Sequence, residues 1–154
     1  MKMKNNVLLE TAAALLESQP NRISLLSNAA AFLNDHFDQI NWVGFYLYDG
    51  KILTVGPFQG KVACSEIELG KGVCGEAAVL RKTLVIKDVL SHANHIACDE
   101  NSKSEVVVPI YIEDKLFGVL DCDAPIFDRF DEEIVLFFEE FVLLLIKQLT
   151  ITTL

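Results

Sequence analysis

Apolar residues first recur at helical spacing over residues 7–18, with Val7, Leu8, Ala12, Leu15 and Leu16 on one stripe before Gln19-Pro20 ends the run. Asn21 can cap a second helix over 22–37, on which Leu26, Ala30 and Leu33 face inward. The period then changes. Trp42 to Tyr48 reads as a strand, Asp49-Gly50 as a hairpin turn, and Lys51 to Val55 as the returning strand. Residues 56–104 are rich in glycine and polar residues, with a short helix expected near 74–81 and a strand at 83–86. A second hairpin is expected from 106–113 and 115–123 around Glu113-Asp114, and a long helix from about 128 to 149. That helix opens on Asp131, Glu132 and Glu133, acids that suit the positive end of its dipole. Its apolar residues, from Ile134 to Leu149, spread beyond one narrow stripe, so it needs burial on two sides, with a homodimer interface as the second partner.

The order helix, helix, hairpin, loops, hairpin, helix describes an α+β fold. An antiparallel sheet carries the N- and C-terminal helices on one side and a loop-rich ligand pocket on the other. The whole of residues 1–154 reads as one domain: helices over about 5–37, sheet and active-site loops over about 41–124, and the C-terminal helix. The long excursion between the hairpins is the natural place for function.

Composition narrows the function classes. Half the residues are apolar (51%), enough for an ordered core without disulfide staples, and a formal net charge of −9 argues against nucleic acid and anionic membrane surfaces. The longest late apolar stretch, residues 141–146, is too short to span a bilayer, and no signal-peptide core is evident, so a cytoplasmic location is expected. Cysteines in that compartment point to catalysis or metal more than to structure.

Three of the four cysteines, Cys64, Cys74 and Cys98, are flanked by glycine or polar residues in expected loops, the setting of reactive thiols. Cys122 lies in an apolar run and reads as a core residue. Asp121 and Asp123, one residue apart on a strand, share a face, and Glu105 opens the neighbouring strand. Crowded carboxylates raise one another's pKa, and three acids without a basic partner make a site for an ammonium group or a source of protons.

Two other patterns are weaker. Gly70-Lys71-Gly72-Val73-Cys74-Gly75 matches a dinucleotide-binding fingerprint, but an alternating strand precedes it and the helix that follows is too short. His92, His95 and Cys98 are spaced three apart and could join Cys64 or Cys74 around zinc. The close ligand pairs of zinc sites are missing, however, and no metal is expected.

The chain resembles the free methionine-(R)-sulfoxide reductases, which are stand-alone GAF domains. The matching stretches include Asn41-Trp42-Val43-Gly44-Phe45-Tyr46, residues 56–61, Ala63-Cys64, residues 70–75, His95-Ile96-Ala97-Cys98-Asp99, Ser104-Glu105, Gly118-Val119-Leu120-Asp121 and residues 130–133. The resemblance implies reduction of free methionine-(R)-sulfoxide without a bound cofactor. It makes Cys98 the nucleophile and Cys64 and Cys74 the cysteines that resolve it, with thioredoxin or an equivalent dithiol as reductant. Glu105, Asp121 and Asp123 would hold the substrate, with Trp42 as an aromatic wall. Asn94, Val62 and Cys122 depart from the usual glycine, proline and aliphatic residue. A ligand-sensing GAF module and a thiol- or zinc-based redox sensor are the competing classes.

Overall fold

A computed structural model describes residues 2–96 and 98–152, with the side chains of residues 2–4 left out of account. Met1, Thr153 and Leu154 of the expected domain, and Ala97 of the Cys98 motif, lie outside the described residues. Helices α1 (Lys2–Glu17) and α2 (Arg22–His36) lead into strands β1 (Trp42–Tyr48), β2 (Leu53–Gly60) and β3 (Glu66–Ile67). Helix α3 (Gly72–Leu80), strand β4 (Leu84–Ile86), a short turn of 3₁₀ helix (Val89–Ser91), strands β5 (Ser104–Ile112) and β6 (Lys115–Ala124), and helix α4 (Glu132–Leu149) follow. The six strands form one antiparallel sheet in the order β3-β2-β1-β6-β5-β4.

Strand alternation sorts side chains into two layers. Val43, Phe45, Val106, Val108, Leu120 and Cys122 point into the main core against α1, α2 and α4, where Phe138, Phe141 and Leu145 are fully buried. Truncating either phenylalanine to alanine would cost about 3–5 kcal/mol. Residues one step along the same strands, Trp42, Tyr46, Val107 and Val119, face the other way and pack on Val73, Cys74, Ala77 and Ala78 of α3. The helical layer therefore leaves the opposite face to the site, as the alternation pattern predicts.

Local chemistry explains where elements begin and end. The Asn21 side chain accepts the Ser24 amide at 2.9 Å and starts α2. Helix α4 begins at Glu132 and not near 128, because Asp128 takes a positive φ of 50° and Asp131 caps the Ile134 amide at 2.9 Å. The first hairpin also differs from expectation. Asp49 Oδ1 accepts both the Lys51 and Ile52 amides, so those residues belong to the turn and β2 opens at Leu53. Strand β2 then continues through Gly56-Pro57 to Gly60 instead of stopping at Val55. The ladder shifts register between Gly44 and Tyr46, placing Gly56 and Pro57 in a bulge where the missing proline N–H breaks no bond.

Candidate active site

The site lies on the α3 face of β1, β5 and β6. In the β5–β6 ladder Glu105 pairs with Asp123 and Val107 with Asp121, so the three acids expected to meet do meet. On the neighbouring strand Trp42 pairs with Asp123 and Gly44 with Asp121. Glu105 and Asp121 are buried, and Oδ1 of Asp121, Oδ1 of Asp123 and Nε1 of Trp42 are buried without a hydrogen-bond partner. Such groups each cost free energy until a ligand meets them.

Burial, and then the neighbouring carboxylates, push Glu105 and Asp123 well above the usual carboxylate range. Burial raises Asp121 as well, but the Glu105 carboxyl and the Cys74 thiol beside it favour its ionised form. All three carboxyls are thus raised together as one interacting cluster, which holds protons where exposed carboxylates have released them.

The cysteines divide differently from the sequence expectation. Cys64 and Cys98 are joined as a disulfide with a Cα–Cα distance of 5.5 Å, within the ordinary span for such a bond. Cys74 is not on a loop. It lies in the first turn of α3, only 3% exposed, and burial with the three acids beyond it pushes its thiol well up, so it stays protonated. The glycines around it, which made the segment look like a loop, instead permit a tight entry into a helix. Gly72 takes a positive φ of 62°, and a Cβ at Gly75 would run into the Glu68 carbonyl oxygen. Cys122, on the alternate register of β6, is fully buried in the helical core as expected.

The loops over the acids are tied to the scaffold by residues to which the sequence assigned no such role. Tyr46 Oη donates to the Cys64 carbonyl at 3.0 Å, and its ring stacks on Trp42, which also stacks on Phe58. Asn41 Nδ2 donates to Asp99 Oδ2 at 2.9 Å and Ser102 Oγ at 3.0 Å. Asn94 Nδ2 donates to the Gly70 carbonyl at 2.9 Å and Glu76 Oε2 at 3.2 Å, while His92 Nε2 meets the same Glu76 oxygen at 2.9 Å. The signal for Tyr46 was present, since it shares the Trp42 face four residues along the strand. The contacts of Asn41 and Asn94 span loops and leave no local pattern.

The expected spacing of His92, His95 and Cys98 does not gather them around one point: His92 is engaged by Glu76 and Cys98 by Cys64. Among the described residues, the cluster with metal-ligating geometry is Cys74, Glu105 and Asp121, whose Sγ and carboxylate oxygens lie within 4.8 Å of one another. With the bridge closed, Trp42, Tyr46, Cys74, His95, the Cys64–Cys98 loops and the acids enclose a cavity of about 40 Å³.

Comparison with known proteins agrees with this geometry. The GAF domain family matches residues 8–149. The free methionine-R-sulfoxide reductase of Escherichia coli (strain K12) is 42% identical over 120 residues, 78% of this chain and 73% of its own length. The reduced form of fRMsr of Staphylococcus aureus is similar with a TM-score of 0.90 at 53% identity, covering 94% of both chains. The free methionine-R-sulfoxide reductase from Neisseria meningitidis, solved in complex with its substrate, gives a TM-score of 0.91 at 37% identity over 95% of this chain and 88% of its own. The chain belongs to the GAF domain family and, within it, to the free methionine-R-sulfoxide reductases.

Proposed function

We propose that this protein reduces free L-methionine-(R)-sulfoxide to methionine, with Cys98 as nucleophile, Cys64 as the resolving thiol and the acidic trio as substrate site and proton source. The observation that carries the reading is the Cys64–Cys98 bridge beside a cavity lined by buried Glu105 and Asp121 and half-buried Asp123, in a chain of this family.

A sulfoxide sulfur accepts a nucleophile once its oxygen is protonated. The Cys98 thiolate attacks the sulfur while Asp123 or Glu105 donates the proton. The oxygen then passes from the substrate sulfur to Cys98 Sγ: the Sγ–O bond forms as the S–O bond and the transient Sγ–sulfur bond break, releasing methionine and leaving a sulfenic acid on Cys98. Attack by the Cys64 thiol expels that oxygen as water and forms the disulfide. An external dithiol, thioredoxin in this reading, reduces the bridge by exchange and is itself oxidised. Ionised Asp121 takes the substrate ammonium, and the Trp42 indole supplies an apolar wall and an N–H for a substrate oxygen. A peptide-linked residue has no ammonium and would leave the buried acid unpaired, which explains selection for the free amino acid.

While the bridge stands, Cys98 Sγ is bonded to Cys64 and cannot attack, so reduction of the bridge must precede the next turnover. A homodimer and a cytoplasmic location belong to the same reading. Exposed Leu136 and Leu143 on α4 support the dimer, and no described helix is long and apolar enough to cross a membrane. The test is stoichiometric: reduced protein is mixed with each epimer of free methionine sulfoxide, and thiols and methionine are counted. The R epimer should consume two thiols per methionine formed. No thiol loss with either epimer would reject the reading.

A further inference from the structure

The cavity floor is unusual in holding a thiol among its acids. Cys74, Glu105 and Asp121 are all buried, and their ligating atoms lie within 4.8 Å of one another. Oδ1 of Asp121, on a side chain 5% exposed, has no partner, and neither does Oδ1 of Asp123. No lysine or arginine lines the cavity, and its one histidine, His95, is pushed toward the neutral form by burial.

We propose that Cys74, Glu105 and Asp121 form a binding site for a borderline-soft divalent cation, zinc by preference, which occupies the pocket in the oxidised enzyme and competes with the substrate ammonium in the reduced one. The competition rests on the functional reading above; the site itself does not.

The donor set decides the metal. One sulfur and two carboxylate oxygens match zinc, whereas magnesium and calcium bind through oxygen and would leave the Cys74 sulfur without a role. Tetrahedral zinc, with Zn–S of about 2.3 Å and Zn–O of about 2.1 Å, sets its ligand atoms roughly 3.5 Å apart. Side-chain rotations closing the triangle by about 1 Å reach that geometry. Asp123 or a water completes the coordination. Zinc binds sulfur as the thiolate, so the Cys74 thiol proton leaves as the ion enters. Cys64 and Cys98 cannot be ligands in the bridged state, since their sulfurs are bonded to each other.

The experiment uses the full chain with the Cys64–Cys98 bridge formed. Cobalt(II) added to it should produce a thiolate-to-cobalt charge-transfer band that saturates near one equivalent and is bleached by zinc. Zinc titrated by calorimetry in buffers of different ionisation enthalpy should release protons as it binds. Cys74→Ser should abolish the cobalt band and weaken zinc at least about tenfold, and Asp121→Asn should weaken zinc by a similar factor. Cys122→Ser, whose side chain faces the helical core, should change neither. Folding of each variant is checked by circular dichroism, and if Cys74→Ser fails to fold, Asp121→Asn and Glu105→Gln carry the test. Absence of the band in the wild type, or its survival in Cys74→Ser, overturns the proposal. A chain that binds zinc as described but reduces neither epimer would sink the functional reading and leave the site standing.

Discussion

Glu105 and Asp123 stand directly opposite each other in the β5–β6 ladder, two acids in a position where like charges repel. Both are held above the usual carboxylate range, so the folded chain keeps protons that the unfolded chain has released. The contribution of this pair to stability is therefore greatest below the ordinary carboxylate pKa near pH 4, and declines as pH rises through the raised values. Glu105→Gln removes one of the two charges. Urea melts across a pH series should show the variant gaining on the wild type from about pH 4 toward neutrality and beyond. A constant difference across the series would mean that the pair ionises normally.

Asp121→Asn and Asp123→Asn should each lower kcat/KM by at least about tenfold, close to 1.4 kcal/mol of transition-state binding. N-acetyl methionine sulfoxide should be a poor substrate for the wild type and lose much less further ground in the Asp121 variant, because the ammonium contact is already gone. Equal penalties for acetylation in both proteins would place the ammonium elsewhere.

The Trp42 indole N–H is buried and unpartnered, stacked between Tyr46 and Phe58. Phenylalanine can keep the stack and lose the donor. Trp42→Phe should reduce kcat/KM by about tenfold, the worth of one buried hydrogen bond to a charged or strongly polar group. Its stability loss should be smaller than a change of that volume normally brings, since an unsatisfied donor leaves with the indole. Steady-state kinetics alongside thermal melting separates the two effects.

Cys98→Ser should be inactive, for serine forms neither the thiolate nor the sulfenic acid. Cys64→Ser should release methionine in a single turnover and then stall. Peptide mapping of the wild type after one turnover should recover Cys98 joined to Cys64, and a Cys98–Cys74 peptide would reverse the assignment. Cys122→Ser should keep its activity while losing about 1–3 kcal/mol from burying a hydroxyl in the helical core.

Gly75 lies where any Cβ would strike the Glu68 carbonyl oxygen, beside the Gly70 amide bonded to the Gly75 carbonyl at 2.9 Å. Gly75→Ala must push the entry of α3 away from β3, costing about 1–3 kcal/mol and displacing Cys74 one position before it. Chemical denaturation and kcat/KM should fall together.

Period and turn chemistry made most of the architecture readable in advance. The switch from helical spacing to strand alternation, the Asp49-Gly50 turn and the acidic opening of α4 each have a local physical cause. Alternation alone put Asp121 and Asp123 on one face and Cys122 on the other. What escaped was non-local. Gly56-Pro57 reads as the end of a strand unless its partner is known to shift register there, and Gly70-Lys71-Gly72 reads as a loop unless the helix it enters is seen. The burial of Cys74 follows from packing α3 on β5 and β6, which no flanking residue announces. Asn41 and Asn94 hold loops through side-chain hydrogen bonds to residues 18 to 61 positions away, and such bonds have no signature in a window.

Ten residues of β6 serve two masters, with Cys122 in the greasy helical layer and Asp121 and Asp123 on the wet side of the sheet. A single codon gained or lost upstream of Asp121 within the strand would exchange those allegiances and thrust carboxylates into a phenylalanine-lined interior. Descendants of this gene can thus lengthen or trim the Glu113-Asp114 turn and the stretch after Ala124, and can swap many individual side chains. Their alignments should be free of gaps through 119–124, and that silence would be the imprint of two incompatible solvents meeting on one strand.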